Sequence, residues 1–471
     1  MTELHALSAA ELGPLYRSLA LSPVDVLQAV AAHMARWEPH LQATWALDLD
    51  AALVQAQASQ ARWQRGAPLS LLDGVPLTLK ENIATRGVPL PLGTAATELV
   101  PALQDAPPAA RLREAGAVLL GKTTMPDYGM LSSGLSSFHA LQGRLTRNPW
   151  DLRKNPGGSS AGAGAAAAAG YGPLHLGTDI GGSIRLPAAW CGVVGFKPSA
   201  GRVPIQPAYI GRVAGPLTRT VADTALMMAT LSLPDWRDAT SLPPQGIDWP
   251  GALAPPLASI KGQRIGLLLD AGWGLPLDAE IAAAVQDAAR CLQEAGAVVQ
   301  PLAAFSTREM ADGINSFWRM RSWLDISALP AERQAQVLPF IRDWVAPAAG
   351  YSAAQLFHAY SQMAALRDAT VAACQPFDFV LSPVAPCVAF DAEAAMPSGD
   401  PQRAMEHIAY TLPYNMSEQP ALSLPWGHNA AGLPIGVQLA GRRHDDLGVL
   451  RLARGLEALR PPLRTWPLPP A

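Results

Sequence analysis

Charge is scarce in this sequence. Asp, Glu, Lys and Arg make up only 15% of the 471 residues, and 35 Lys plus Arg against 38 Asp plus Glu leave a net charge of −3. A chain with no basic field does not recruit nucleic acid or an anionic membrane surface by electrostatics. Cysteine is nearly absent too. Cys191, Cys291, Cys374 and Cys387 form neither a C-x-x-C pair nor a disulfide framework, the usage expected in a reducing compartment. No His, Cys, Asp and Glu cluster has metal-ligand spacing, so no metal and no cofactor is expected. No apolar run reaches the roughly 18 residues of a membrane-spanning helix. The first residues, MTELHALSAAELGPL, carry acids but no basic n-region followed by an apolar h-region, so they do not read as a signal peptide. These absences predict a cytoplasmic protein with a small-molecule substrate and without nucleic-acid or membrane partners; they leave a homodimer open. What is plentiful is apolar surface. Hydrophobic residues make up 49%, enough for a large buried core.

Length alone suggests about three domains at roughly 150 residues each, but the pattern predicts one α/β body over residues 1–471. Apolar residues at i, i+3 and i+4 predict helices over Leu4–Arg17 and Pro23–Trp37, with Ser22 as N-cap and Pro23 at the first helical position. From Leu71 the texture changes. Strand-like runs occur in DGVPLTLKENI, in AGAVLLGKTTM (Ala115–Met125), in KGQRIGLLLD (Lys261–Asp270), in AVVQPL and in FDFVLSP (Phe377–Pro383). Helical stretches lie between them, at RLREAG, Asp223–Leu231 and Asp287–Gly296. Strands spaced by helices predict a large mixed, mostly parallel central sheet covered by helices on both faces. The proline-rich stretch Leu233–Pro256 reads as a surface loop inside this body, and residues 461–471 as a frayed tail.

Two motifs tempt and fail. Gly116 to Thr123 satisfies G-x-x-x-x-G-K-[ST], the phosphate-binding loop of a nucleotide-dependent enzyme, but its middle residues, Ala-Val-Leu-Leu, have the composition of a buried strand. Gly158-Ser159-Ser160-Ala161-Gly162 satisfies G-x-S-x-G, yet a nucleophile elbow follows an apolar strand, and Trp150-Asp-Leu-Arg-Lys-Asn-Pro-Gly is none. The alanine run Ala161–Gly170 reads either as a linker or as a buried helix packed unusually close for want of side-chain volume. As a helix it would start at the serines and aim its free N–H groups at whatever sits there. YGPLHLGTD would then be a strand leading to Asp179 and Ser183, and Ser159 and Ser183 would flank one helix–strand unit.

GGSSAGAGAAAAAG followed by LGTDIGGSIRLPAAWCGVVGFKPSAGRVP (Leu176–Pro204) resembles the signature of the amidase signature family of serine hydrolases. DGVPLTLKENIATRGVP (Asp73–Pro89) resembles that family's lysine segment, and GKTTMPDYG, NPWD, GPLTRTVAD, LPYNMSEQPALSLPWG and GLPIGVQLAGRRHDD continue the likeness in order. The core motifs fall in residues 73–223 and 377–446, with a more variable segment at about 233–376. The resemblance implies a Ser–cis-Ser–Lys arrangement of Ser183, Ser159 and Lys80, with a cis Gly158–Ser159 bond. Ser183 would attack the acyl carbon, and Ser159 would relay its proton to Lys80 and back to the leaving amine. For that, Lys80 must shed its proton near neutral pH, about three units below a free lysine. The glycines in Thr178–Ser183 would let a carbonyl oxygen approach, so the N–H groups of Ile180, Gly181, Gly182 and Ser183 form the expected oxyanion hole. Asp179 and Arg185 are expected to orient this loop, and Ser160 to cap the alanine helix. Lys122, Lys197, His139 and His175 are read as structural.

Departures from the family pattern bear on the substrate. Ala161-Gly162 replaces a glycine pair, and Ser132–Gly143 is spaced unusually before NPW. VPIQPAYIGRVAGP (Val203–Pro216) does not look like the corresponding loop of tRNA-dependent amidotransferases, which leaves a glutaminase role in a larger complex as the alternative. Candidate pocket residues are Tyr209, Ile210, Trp318 and Trp323, with Phe340 and Trp344 nearby. If they line the site, an aryl or other apolar amide, anilide, carbamate or ester is favoured over a short charged amide. A carboxylate clamp would draw on Arg202, Arg212, Arg319 or Arg321.

Overall fold

A computed structural model of the chain describes residues 3–253 and 260–470. Positions 254–256 of the proline-rich stretch, and Ala471 of the tail, lie outside the described residues. Eleven strands form one sheet. In chain order they are β1 (Thr44–Trp45), β2 (Pro76–Lys80), β3 (Val118–Thr123), β4 (Leu174–Asp179), β5 (Val194–Lys197), β6 (Val213–Thr218), β7 (Arg264–Leu267), β8 (Val298–Pro301), β9 (Phe379–Pro383), β10 (Ala421–His428) and β11 (Pro434–Gly441). Their spatial order is β1-β3-β2-β4-β6-β5-β10-β11-β9-β7-β8.

The expected mixed sheet with helices on both faces is present, but its parallel share is smaller than the helix–strand alternation suggests. Parallel pairing is confined to β3-β2-β4 on one side and β9-β7-β8 on the other. The run from β4 through β6, β5, β10 and β11 to β9 is antiparallel throughout. It contains β6, which follows β5 through the helix-free loop 198–212, and the β10–β11 hairpin, closed by the short connection 429–433; neither is a helical crossover. β2, β4, β5, β6, β9 and β11 are buried along their whole lengths, as strands covered on both faces must be.

Local chemistry sets the helix starts. Ser22 and Asp25 form a capping box before the helix Pro23–Leu41, with Pro23 at its first position. The alanine run is a helix, Ala161–Ala169, and all nine of its residues are buried. It packs against β4 and the helix Arg185–Cys191. It comes so close that a Cβ on Gly162 would lie 2.1 Å from the Ala43 carbonyl oxygen, and one on Gly164 would lie 2.9 Å from Pro187 Cβ. The linker reading therefore fails. In the variable segment the long helices Arg308–Ser327 and Ala353–Cys374 pack on each other. Among the described residues no helix is long and apolar enough to cross a membrane. The tail after Pro461 has no regular secondary structure, yet it is docked rather than frayed. The Trp466 ring lies 6.0 Å from that of Trp150 and under the Arg219 guanidinium at 4.6 Å.

Candidate active site

The site lies where the parallel strands β2 and β4 end. Lys80 is the last residue of β2, and Thr178 and Asp179 close β4. The chain reaches Ser159 through Gly157, at φ 86°, and a cis Gly158–Ser159 bond, then enters the alanine helix. Lys80 is fully buried, and its Nζ donates to Ser159 Oγ at 2.8 Å and to Thr178 Oγ1 at 3.0 Å. Burial holds its amine well below the ordinary lysine value; the Arg212 charge pushes the same way, and Asp179 and Glu81 oppose them. Asn82 Nδ2 donates to the same Thr178 hydroxyl at 3.1 Å. Neither Thr178 nor Asn82 stood out in the sequence, although both fall inside its two longest motifs.

Ser159 and Ser183 are brought together through the backbone: the Ser160 N–H donates to the Ser183 carbonyl at 3.2 Å. Among the described residues no hydrogen bond joins the two hydroxyls. Ser160 occupies the N-cap position but does not cap the helix with its side chain. Wedged between helix and strand, its Oγ donates to the Thr178 carbonyl at 3.2 Å and accepts the Thr178 N–H at 3.3 Å. It supports the site by tying the helix start to β4, which corrects the capping role.

The loop from Asp179 to Ser183 is held by a buried ion pair. Arg185 and Asp179 meet at 2.9 Å with both side chains fully buried. Arg185 also donates to the Thr411 carbonyl, Gln438 Oε1 and Asn415 Oδ1. Burial alone would raise the Asp179 pKa, but the Arg185 charge and the hydrogen bonds from Arg185, Asn415 and the Ile184 N–H hold it below the usual carboxylate range. The expected oxyanion hole needs one correction. The Gly182 N–H donates to Asp179 Oδ1 at 2.8 Å, closing the turn, which removes it from the expected set and leaves the Ile180, Gly181 and Ser183 N–H groups as candidates. A Cβ on Gly181 would crowd the Trp318 ring and Ile408 Cδ1, each at 3.2 Å.

Ile180, Gly181 and Ser183 open into a cavity of about 430 Å³, within the usual range for a small-molecule site. Its walls are mostly apolar, with Leu92, Met130, Trp318, Trp344, Met396 and Ile408 prominent. Tyr209 and Trp318 line it as expected. Ile210 and Trp323 are not among its lining residues: Ile210 is 46% exposed, and Trp323 packs into the cluster around Ile341 and Trp344. Of the arginines considered, Arg202 is paired with Asp446 and Arg319 with Gln402, while Arg212 and Arg321 reach the cavity. They lie on the Tyr209 ring, at 5.1 and 4.0 Å from its centroid. A polar pair missed in the sequence also faces the cavity. His407 Nε2 and Ser132 Oγ lie 2.7 Å apart, and burial lowers the His407 pKa to about 3, so the ring is neutral.

The residues read as structural lie elsewhere. His139 bonds Glu81 at 2.9 Å, and His175 joins the Thr78 hydroxyl to the Gly172 carbonyl. Lys122 donates to the Ile83 carbonyl and Thr85 Oγ1, and Lys197 to the Pro198 carbonyl. Gly116–Thr123 is mostly β3 and buried, not a phosphate loop.

The family model Amidase matches residues 25–450. A glutamyl-tRNA(Gln) amidotransferase subunit of Myxococcus xanthus (strain DK1622) is 35% identical over 468 residues, covering 93% of each chain. The subunit of the same name from Moorella thermoacetica (strain ATCC 39073 / JCM 9320) is 35% identical over 97% of each chain. Among solved structures, a bacterial aryl acylamidase belonging to the amidase signature enzymes superposes with a TM-score of 0.87 at 30% identity, covering 97% of both chains. The native peptide amidase of Stenotrophomonas maltophilia gives 0.84 at 26% identity over 99% of both.

Proposed function

The chain belongs to the amidase signature family, and from that premise we propose that it hydrolyses amides carrying an aryl or other bulky apolar group, through an acyl-enzyme on Ser183. The observation that carries the mechanism is the buried contact of 2.8 Å between Lys80 Nζ and Ser159 Oγ, one residue before the backbone link to Ser183. A lysine kept neutral by burial can accept a proton that a charged lysine cannot. Ser159 passes the Ser183 proton to Lys80 as the Ser183 oxygen attacks. The reverse transfer protonates the amine as the C–N bond breaks, and water then releases the acyl group by the same route. The hydroxyl–hydroxyl contact, open in the free protein, closes when substrate is bound, as catalytic hydrogen bonds often do. The N–H groups of Ile180, Gly181 and Ser183 stabilise the developing oxyanion.

The apolar walls and the Trp318 and Trp344 rings support an aryl substrate over a short polar amide; esters and carbamates of the same shape fit the same chemistry. One observation favours a second reading. The 35% identity to glutamyl-tRNA(Gln) amidotransferase chains over nearly the whole length supports a glutaminase role within a complex. A panel of p-nitroanilide, primary amide, ester, carbamate and glutamine substrates separates the two. The expected result is a kcat/KM for an aryl anilide at least about tenfold above that for glutamine with the chain alone. Glutamine hydrolysed faster than every apolar amide would overturn the hydrolase reading in favour of the amidotransferase one.

A further inference from the structure

A second cavity, of about 220 Å³, lies between the docked tail and the β10–β11 hairpin and shares no lining residue with the first. Its walls are rings: Trp150 lies 4.8 Å from His428 and 6.0 Å from Trp466. Its polar groups are donors, Arg460 and Arg464 at the start of the tail, and no Asp or Glu lines it. Neither arginine forms an ion pair among the described residues. Glu457, whose charge is felt at Arg460, is already engaged with Arg454 at 2.6 Å and with the Val221 N–H at 3.1 Å. Arg464, which is exposed, donates to the Gly432 carbonyl at 3.3 Å. Arg460 Nη1 and His428 Nε2 are buried without a protein partner. Buried polar groups are nearly always satisfied, so the orphaned Arg460 donor at this cavity points to a missing acceptor. The β10–β11 register shifts between Pro425 and Gly427, two residues that line the cavity.

We propose that this cavity is a binding site for a small aromatic carboxylate, with the carboxylate on Arg460 and Arg464 and the ring among Trp150, His428 and Trp466. Guanidinium groups bind carboxylates by charge-assisted, often forked, hydrogen bonds. The volume falls below the roughly 300 Å³ at which ordinary small-molecule sites begin, which limits the ligand to about one ring. The site sits behind the catalytic loop. Trp150 Nε1 donates to the Cys191 carbonyl at 2.8 Å, at the C-terminal end of the helix that begins two residues after Ser183.

The test is calorimetric titration of the full chain with benzoate and with neutral benzamide, alongside R460Q/R464Q and W466A variants whose melting temperatures are checked. The expected result is saturable benzoate binding, at least about tenfold stronger than that of benzamide. It should weaken by a similar factor in R460Q/R464Q while the KM for an anilide substrate is unchanged. Benzoate binding that survives intact in the double variant, or that is purely competitive with substrate, belongs to the catalytic cavity and overturns the proposal. So does benzamide binding as tightly as benzoate, or no saturable binding at all. Should R460Q/R464Q fail to fold, W466A carries the same expectation of loss, and full-strength binding there overturns it.

Discussion

Lys80 ends β2, and Lys122 lies in the adjacent strand β3, paired with Leu79 in the parallel register. Both are buried, and burial lowers both amines, that of Lys122 to about 7. A depressed pKa therefore does not tell them apart. Their partners do. Lys80 faces two hydroxyls, Ser159 and Thr178, whereas Lys122 faces the Ile83 carbonyl and one hydroxyl, Thr85, away from the cavity. A carbonyl accepts a hydrogen bond but has no proton to pass on; a hydroxyl does both. On the proposed mechanism, what makes Lys80 rather than Lys122 the base is the exchangeable protons around it and what lies beyond them.

That contrast can be broken in four ways. Ser183→Ala removes the group on which the proposed chain ends and is expected to lower kcat about ten-thousandfold or more with the melting temperature nearly unchanged. Residual activity of a few per cent in a folded variant would move the nucleophile elsewhere. Lys80→Met keeps an apolar stem in place and is expected to cost about a thousandfold, the usual worth of a general base. An active Lys80→Met would put the two lysines on an equal footing. Next comes pH. In the proposed mechanism the neutral amine is the reactive form, so kcat/KM should rise with pH through the lowered Lys80 value and then level off. Because the Arg212 charge helps lower that value, Arg212→Gln should shift the rising limb to higher pH. A limb that stays put would remove Lys80 as its origin.

Lys122→Met gives the smallest effect, a change in activity of about threefold at most, since Lys122 faces no part of the cavity. Its signature is in stability. With a folded value near 7 against 10.5 ordinarily, the unfolded chain holds the extra proton between those limits, so wild-type stability rises with pH across that window. Thermal melts of Lys122→Met across the same window should show a shallower rise, and an unchanged slope would mean that Lys122 stays charged in the folded state.

Much of the proposed site was legible because it is local. The serine, glycine and alanine pattern of 157–170, the run to Ser183 and the lysine segment each occupy one stretch of chain. β2, β3, β4, β7, β8 and β9 all fall inside runs identified from composition. What escaped was what depends on distant partners. Asn82 and Thr178 meet 96 residues apart in sequence, and Ser132 and His407 meet 275 residues apart. The antiparallel centre was missed only partly for that reason: β5 pairs with β10 across a long stretch of chain, but β5–β6 and β10–β11 are close in sequence and their segments were not read as strands. The Gly182 N–H was assigned to the substrate because a row of glycines shows that a carbonyl can approach. It does not show that the neighbouring Asp179 side chain has already claimed a donor.

The alanine helix has a further consequence, for how this protein can change. A Cβ on Gly162 would meet backbone and one on Gly164 the Pro187 ring, both at less than 3 Å, and the helix's alanines are buried. A larger side chain there would push apart the strand that ends in Asp179 and the helix that follows Ser183, and so the two halves of the proposed reaction centre. Substitutions that retune selectivity are thereby steered to the opposite wall, where Trp318 and Arg321 sit on a helix with one face toward solvent. The plainest stretch of the sequence is the one with the least freedom to drift, and new substrates will be reached by rebuilding the far side of the cavity around it.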